Sequence, residues 1–376
     1  MTFGVLTVII ACGLVGPLLS KATGLAVPIV VGEIAAGVLI GRTGLRELHT
    51  NDATVVFLSD AGFAMLMFVV GTRLPLRDPA LRRVLRPAAM ATALSFAIAL
   101  PAGWALAHAT PIKHPALFVL LLAASSAAVV MPILYERGLA AGELLLAAAW
   151  IALVDIATIV VLPLALQPSR ALRVALGGVL VTVAAVALFV VVRAIRRTPI
   201  VRSIRQDSRD REWALDLRLS LLALFGLSAI ATAFGTSILI AGFAAGMIVA
   251  LAGEPRRLAQ QLLGIAEGFF VPFFFVTLGA RLNFRSLLSS RSDIALALVL
   301  VCGIVACHVA IALVMRMPWP AGLLASAQLG LPAGVVSLGL TEGLLTPGQG
   351  AAVVASALVT LGVSSAGAVL LERRLR

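Results

Sequence analysis

The chain has 376 residues, of which 61% are hydrophobic and 12% charged, about half the charge density of a soluble domain. That balance excludes a water-soluble globular fold and predicts an all-α polytopic membrane protein, because a backbone inside a bilayer must satisfy its own polar groups. Lys and Arg outnumber Asp and Glu by 29 to 17, but the basic residues sit between apolar runs, where they act as topology signals, and no nucleic-acid partner is expected.

Taken in order, the apolar windows predict about thirteen transmembrane helices, near 3–20, 25–41, 54–72, 86–109, 115–135, 142–166, 172–195, 213–234, 236–252, 258–281, 293–315, 319–341 and 349–371. The first run lacks the basic start of a secretory signal and reads as a retained span. Most Lys and Arg residues fall in the connections that are cytoplasmic if the N-terminus is outside and the C-terminus inside. The expected organisation is a first membrane half over 1–195 (spans one to seven), a linker over 196–212, and a second half over 213–376 (spans eight to thirteen), with no soluble regulatory domain after it. The linker region holds Arg-Gln-Asp-Ser-Arg-Asp-Arg-Glu (205–212), which reads as a solvated cytoplasmic segment or surface helix; binding to anionic lipid or a partner is the alternative. The three cysteines, Cys12, Cys302 and Cys307, lie in apolar runs and show neither a disulfide framework nor metal spacing.

Polar residues inside these spans carry the chemistry. Glu33 in span two has Gly32 and Gly37 beside it, a setting for close helix packing with a buried partner. Asp60 and Glu267 lie nearer the ends of their spans, within reach of water. Span five contains Ser125 and Ser126, followed by Pro132. Two readings stand: hydroxyls bonding back to the preceding turn with a kink at Pro132, or an unwound stretch whose hydroxyls and carbonyls face an ion.

Span six holds Asp155 in an otherwise apolar run over 150–162. An ionised Asp at the centre of a spanning helix costs roughly 2.5 to 3.5 kcal/mol on the insertion scale, so Asp155 is the leading functional candidate. Arg281, closing span ten, snorkels to the outer surface or pairs with Asp155. His308 in span eleven reads first as a core residue bonded to backbone and second as a titrating group. In span twelve, Pro332 with Gly330 and Gly334 on either side predicts an interrupted helix at Pro332, Ala333 and Gly334. Spans five and twelve are seven apart, and an odd offset reverses orientation in the membrane, as an inverted repeat requires. Span thirteen, at the same offset from the Asp155 span, offers Ser356, Thr360, Ser364 and Ser365 but no second carboxylate.

Five blocks in order, Pro28-Ile-Val-Val-Gly32-Glu33, Asp60-Ala-Gly62, Val154-Asp155, Phe234-Gly235 through Gly246, and Pro272 through Gly279, resemble the monovalent cation:proton antiporters, in particular the Kef-type branch related to sodium/proton exchangers. The resemblance implies two inverted repeats with crossed broken helices from spans five and twelve, a core domain and a dimerisation domain. It makes Asp155 the cation- and proton-binding aspartate and places Ser125 and Ser126 at the unwound point. The chain departs from the family pattern in three places: Val154 before the key Asp, Cys307 and His308 where a basic residue is common, and Ala333 and Val335 around Gly334. The expected function is exchange of Na+ or K+ for protons by alternating access in a bacterial inner or plasma membrane. One acid in the site makes the simplest exchange electroneutral. His308, Glu33 and Arg281 are the candidate charge or proton partners. The expected partners are the cation, the proton, the bilayer and a second copy in a homodimer, with no cofactor and no metal beyond the transported alkali cation. A non-transporting scaffold or binding subunit, and a Kef-like efflux channel, are the alternatives. No nucleophile–base pair or phosphate-cradling Gly loop points to an enzyme.

Overall fold

The computed structural model describes the chain apart from residues 1, 23–28, 42, 45–49, 73–80, 128, 131–133, 135–143, 196–197, 212, 235, 237, 253–255 and 376. Pro28, Pro132 and Gly235, which belong to the motifs above, lie outside the described residues. All regular elements among the described residues are helical. Nine of these helices are long and apolar enough to cross a bilayer, and a bent pair brings the count to ten. Three shorter apolar helices, at Ile29–Ile40, Pro115–Ala123 and Ile238–Ala252, fall on the remaining expected spans, so each of the thirteen windows coincides with helix. The molecule is a multi-pass integral membrane protein with an all-α fold.

The chain divides into two units. The smaller comprises Asn51–Arg77 and Ser169–Phe274, and the larger Thr2–Thr50, Asp78–Pro168 and Phe275–Arg376. Both draw on both halves of the sequence.

Further helices are named here in chain order. The first run forms α1 (Phe3–Gly13) and α2 (Val15–Ala22), and α3 is Ile29–Ile40. Next come α4 (Ala53–Thr72), α5 (Leu81–Ala109), α6 (Pro115–Ala123), α7 (Leu145–Leu166) and α8 (Ala171–Ile195). After these lie α9 (Pro199–Asp210), α10 (Leu215–Ala233), α11 (Ile238–Ala252) and α12 (Arg256–Ile265). A π-helical turn, Ala266–Phe270, leads into α13 (Val271–Arg281). The chain finishes with α14 (Phe284–Ser289), α15 (Arg291–Val314), α16 (Trp319–Ala325), α17 (Gly330–Thr341) and α18 (Pro347–Leu375).

In the smaller unit, α4 and α11 meet backbone to backbone. A Cβ on Gly246 would collide with the Phe68 carbonyl, and one on Gly71 would lie 2.5 Å from the Phe243 oxygen. Small residues let such helices approach closely, so contact accumulates where lipid supplies no hydrophobic drive. Phe63 stacks on Phe274 at 4.6 Å between ring centroids, closing the same core. The linker region contains α9, whose neighbour Trp213 is tied back by its N–H to the Ser208 carbonyl at 3.0 Å.

In the larger unit, α3 crosses α13 in the same manner, with Gly37 against the Val276 carbonyl and Gly279 against the Ile34 carbonyl. Glu33 is buried on α3, its Cγ opposite Gly16 of α2. Around these, α5 packs on α6 and α7, and α15 packs on α16 and α18. The second trio repeats the neighbour relations of the first. In each trio one helix is short, 9 residues in α6 and 7 in α16, and their ends bring the polar residues together.

Candidate functional site

Helix α6 begins at Pro115, immediately after Lys113 and His114, and runs for 9 residues. At 1.5 Å per residue that is about 14 Å, close to half of a hydrocarbon core of about 30 Å. Ala124 then leaves the helix with φ −67° and ψ 144°. Helical bonding resumes at Val130, whose N–H donates to the Ser126 carbonyl at 3.1 Å. Span five is therefore interrupted at Ala124, Ser125 and Ser126. The backbone here is unwound, and Ser125 Oγ does not bond back to its own turn. It donates to the Ala325 carbonyl at 2.6 Å, 200 residues away.

Span twelve is also interrupted, between α16 and α17, with a bend of 42°. The position differs from the expectation. Pro332, Ala333 and Gly334 lie in the first turns of α17, and the break occupies Ser326, Ala327, Gln328 and Leu329. The physical reason is that a proline in the first turn of a helix gives up an N–H that has no intrahelical acceptor there, so Pro332 is as compatible with a start as with an end. Leu329, with φ −140° and ψ −64°, precedes the restart.

The two breaks lie against each other and exchange side-chain hydrogen bonds. Each half-helix ends on carbonyls with no partner in its own helix, and the bilayer offers no water to them. Gln328 Nε2 donates to the Leu121 carbonyl at 2.6 Å and to the Ala124 carbonyl at 2.7 Å. Ser125 serves Ala325, and Ser364 Oγ of α18 donates to the Leu324 carbonyl at 2.8 Å. All three donors are buried and uncharged. Gln328 is the residue that the sequence left unassigned; its one signal is an amide inside an apolar run beside a break.

Asp155, 3% exposed, stands in the middle of α7 beside this crossing. Its Oδ2 accepts the N–H of Ala127 at 2.9 Å. Ala127 opens the resumed half of span five, so the carboxylate occupies the position of an N-terminal cap, where exposed N–H groups favour negative charge. No basic side chain among the described residues pairs with it. Thr158 Oγ1 sits one turn on, donating to the Val154 and Asp155 carbonyls. The wall behind is held by Trp150, whose Nε1 donates to Ser95 Oγ at 2.9 Å.

One of the candidate partners, His308, faces the Ala124 backbone at the break. His308 is fully buried and bonds through Nδ1 to the Ile304 carbonyl at 2.8 Å, on its own helix. Its ring lies 5.6 Å from that of Trp150. Glu33 packs at α2, and Arg281 ends α13 half-buried. Of the two readings of Arg281, the pairing with Asp155 is not seen: the Asp155 carboxylate accepts from the Ala127 N–H instead. Asp60 and Glu267 are both exposed. No cluster of three potential metal ligands occurs among the described residues. What the site offers is one carboxylate, several neutral oxygens and two helix breaks, a constellation suited to a monovalent ion or a proton.

Comparison with known proteins gives the family. The family pattern described as sodium/hydrogen exchanger, transmembrane, matches residues 7–371. YjbQ of Bacillus subtilis (strain 168), whose name gives it as a candidate Na(+)/H(+) antiporter, is 24% identical over 305 residues, covering 76% of this chain and 48% of that protein. A Na(+)/H(+) antiporter of Enterococcus hirae is 28% identical over 135 residues, 35% of this chain and 34% of its own length. The chain thus spans about half the length, or less, of these curated relatives. Among solved structures, the sodium proton antiporter MjNhaP1 of Methanocaldococcus jannaschii at pH 8 superposes with a TM-score of 0.63 over 99% of this chain and 96% of its own, at 16% identity. With the family pattern running through nearly every helix, including both broken spans and α7, the chain belongs to the transmembrane sodium/hydrogen exchanger family.

Proposed function

We propose that this protein is a secondary active transporter that exchanges a monovalent cation for protons. Asp155 binds the one or the other in turn. The observation that carries the reading is a buried carboxylate at the crossing of two broken helices, held by one backbone N–H and by no basic side chain among the described residues. Protonation removes the charge that would hold a cation, so competition at this one group is sufficient for coupling. Alternating access then exposes the same site to either face of the membrane. One acid supports a one-for-one exchange. The relatives carry sodium/proton antiporter names, one of them as a candidate, which sets Na+ ahead of K+; placement near the Kef-type branch rests on the motif blocks alone. The same reading includes a bacterial inner or plasma membrane, the N-terminus outside, the C-terminus cytoplasmic, two membrane halves over 1–195 and 213–376, and a homodimer.

The test is cation-dependent dissipation of a pH gradient in everted vesicles, wild type against Asp155→Asn. The expected result is loss of dissipation in the variant at equal expression. An unchanged rate sinks the assignment of Asp155, and a flux that follows membrane potential without proton counter-movement would make the protein a channel.

A further inference from the structure

Gln328 is 1% exposed and spends both N–H groups on one place, the Leu121 and Ala124 carbonyls where α6 ends. The orientation of its amide is fixed, because carbonyl oxygens accept and only the NH2 side can serve them. Three residues further on, the Ala127 N–H is held by Asp155. The unwound stretch Ala124–Ser126 is therefore held on both sides, by an amide from span twelve at Ala124 and by a carboxylate from span six at Ala127. Three residues of backbone extend to about 10 Å at most, so slack at one end is felt at the other.

We infer that Gln328 is a positioning residue for ion exchange, acting through the unwound stretch to present the Ala127 N–H to Asp155. The inference rests on the exchange reading above. An N–H donated to a carboxylate favours its charged form, which is the form able to hold a cation. Among the described residues, the titratable neighbour of this stretch besides Asp155 is His308 of α15, which faces the Ala124 backbone. With Gln328 removed, the stretch keeps the Ser125–Ala325 bond but loses its two carbonyl anchors, the Ala127 N–H shifts from the carboxylate, and protons compete better against the cation. The effect is greatest where protons are abundant and fades where they are scarce.

The experiment uses the full chain in proteoliposomes, with Na+, K+ or Li+ as the cation, and compares wild type with Gln328→Met, which preserves volume and removes the donors. The expected result is a half-saturating cation concentration raised about tenfold near neutral pH, the scale of a hydrogen bond to a charged group, converging on wild type at alkaline pH with little change in maximal rate. A lower maximal rate with an unchanged half-saturating concentration at every pH overturns the inference, since that is what a purely structural residue produces. Absence of cation-dependent proton flux in wild type overturns the exchange reading itself and takes this inference with it. Should Gln328→Met not fold, amide hydrogen exchange over residues 119–130 of Gln328→Asn, one methylene shorter, decides instead. Faster exchange than wild type supports the inference, and equal exchange overturns it.

Discussion

Asp155 is surrounded by neutral groups, and each of them has a definite task. Ser125 supplies the donor for the Ala325 carbonyl. Ser125→Ala leaves that buried oxygen without one, at a cost of about 1–3 kcal/mol. Lower thermal stability of the purified protein is expected, and an unchanged unfolding temperature contradicts the assigned bond. His308 bonds through Nδ1 to its own helix, packs beside Trp150 and faces the Ala124 backbone, contacts that a glutamine amide can replace. His308→Gln should therefore keep the pH profile of exchange unchanged; a displaced profile in vesicle assays would give His308 a titrating role. At this scale the sequence was readable where a residue is costly. An Asp in an apolar helix announces itself, and Ser125 with Ser126 marked the unwound point. Gln328 gave little warning, since its acceptors lie more than 200 residues away and no local rule connects them.

At the scale of elements, helix identity was legible from apolar length alone, while the second break was expected a turn too late. Pro332 and Gly334 suggested an end and are instead part of a beginning. Local chemistry permits either, and the choice is made by tertiary partners at Ser125 and Gln328. Helix packing gives a sharper test. A methyl on Gly37 meets the Val276 backbone, whereas Gly226 on α10 has nothing within 4 Å. Gly37→Ala should force α3 from α13 and cost about 1–3 kcal/mol by overpacking. Gly226→Ala should be neutral or slightly stabilising through helix propensity. Thermal unfolding of the two variants side by side measures the difference, and equal stability would contradict the close approach.

For the whole molecule, the thirteen-span reading would put the termini on opposite faces of the membrane. In a background lacking Cys12, Cys302 and Cys307, cysteines placed at Thr2 and Glu372 should label with impermeant reagent from opposite sides. Labelling from one side would remove a span from the count. The reciprocal bonds between the two breaks also constrain how the protein comes into being. While the ribosome is still short of Ala325 and Gln328, the Ala124–Ser126 interruption has neither its acceptor for Ser125 nor its donor for Leu121 and Ala124. At about 5–20 residues per second, the 200 residues between Ser125 and Ala325 take roughly 10–40 s to synthesise. Through that interval the early half has to keep span five continuous, hydrated or shielded by insertion machinery. Biogenesis of the site is thus a late event, completed only when the second half arrives to stitch the first.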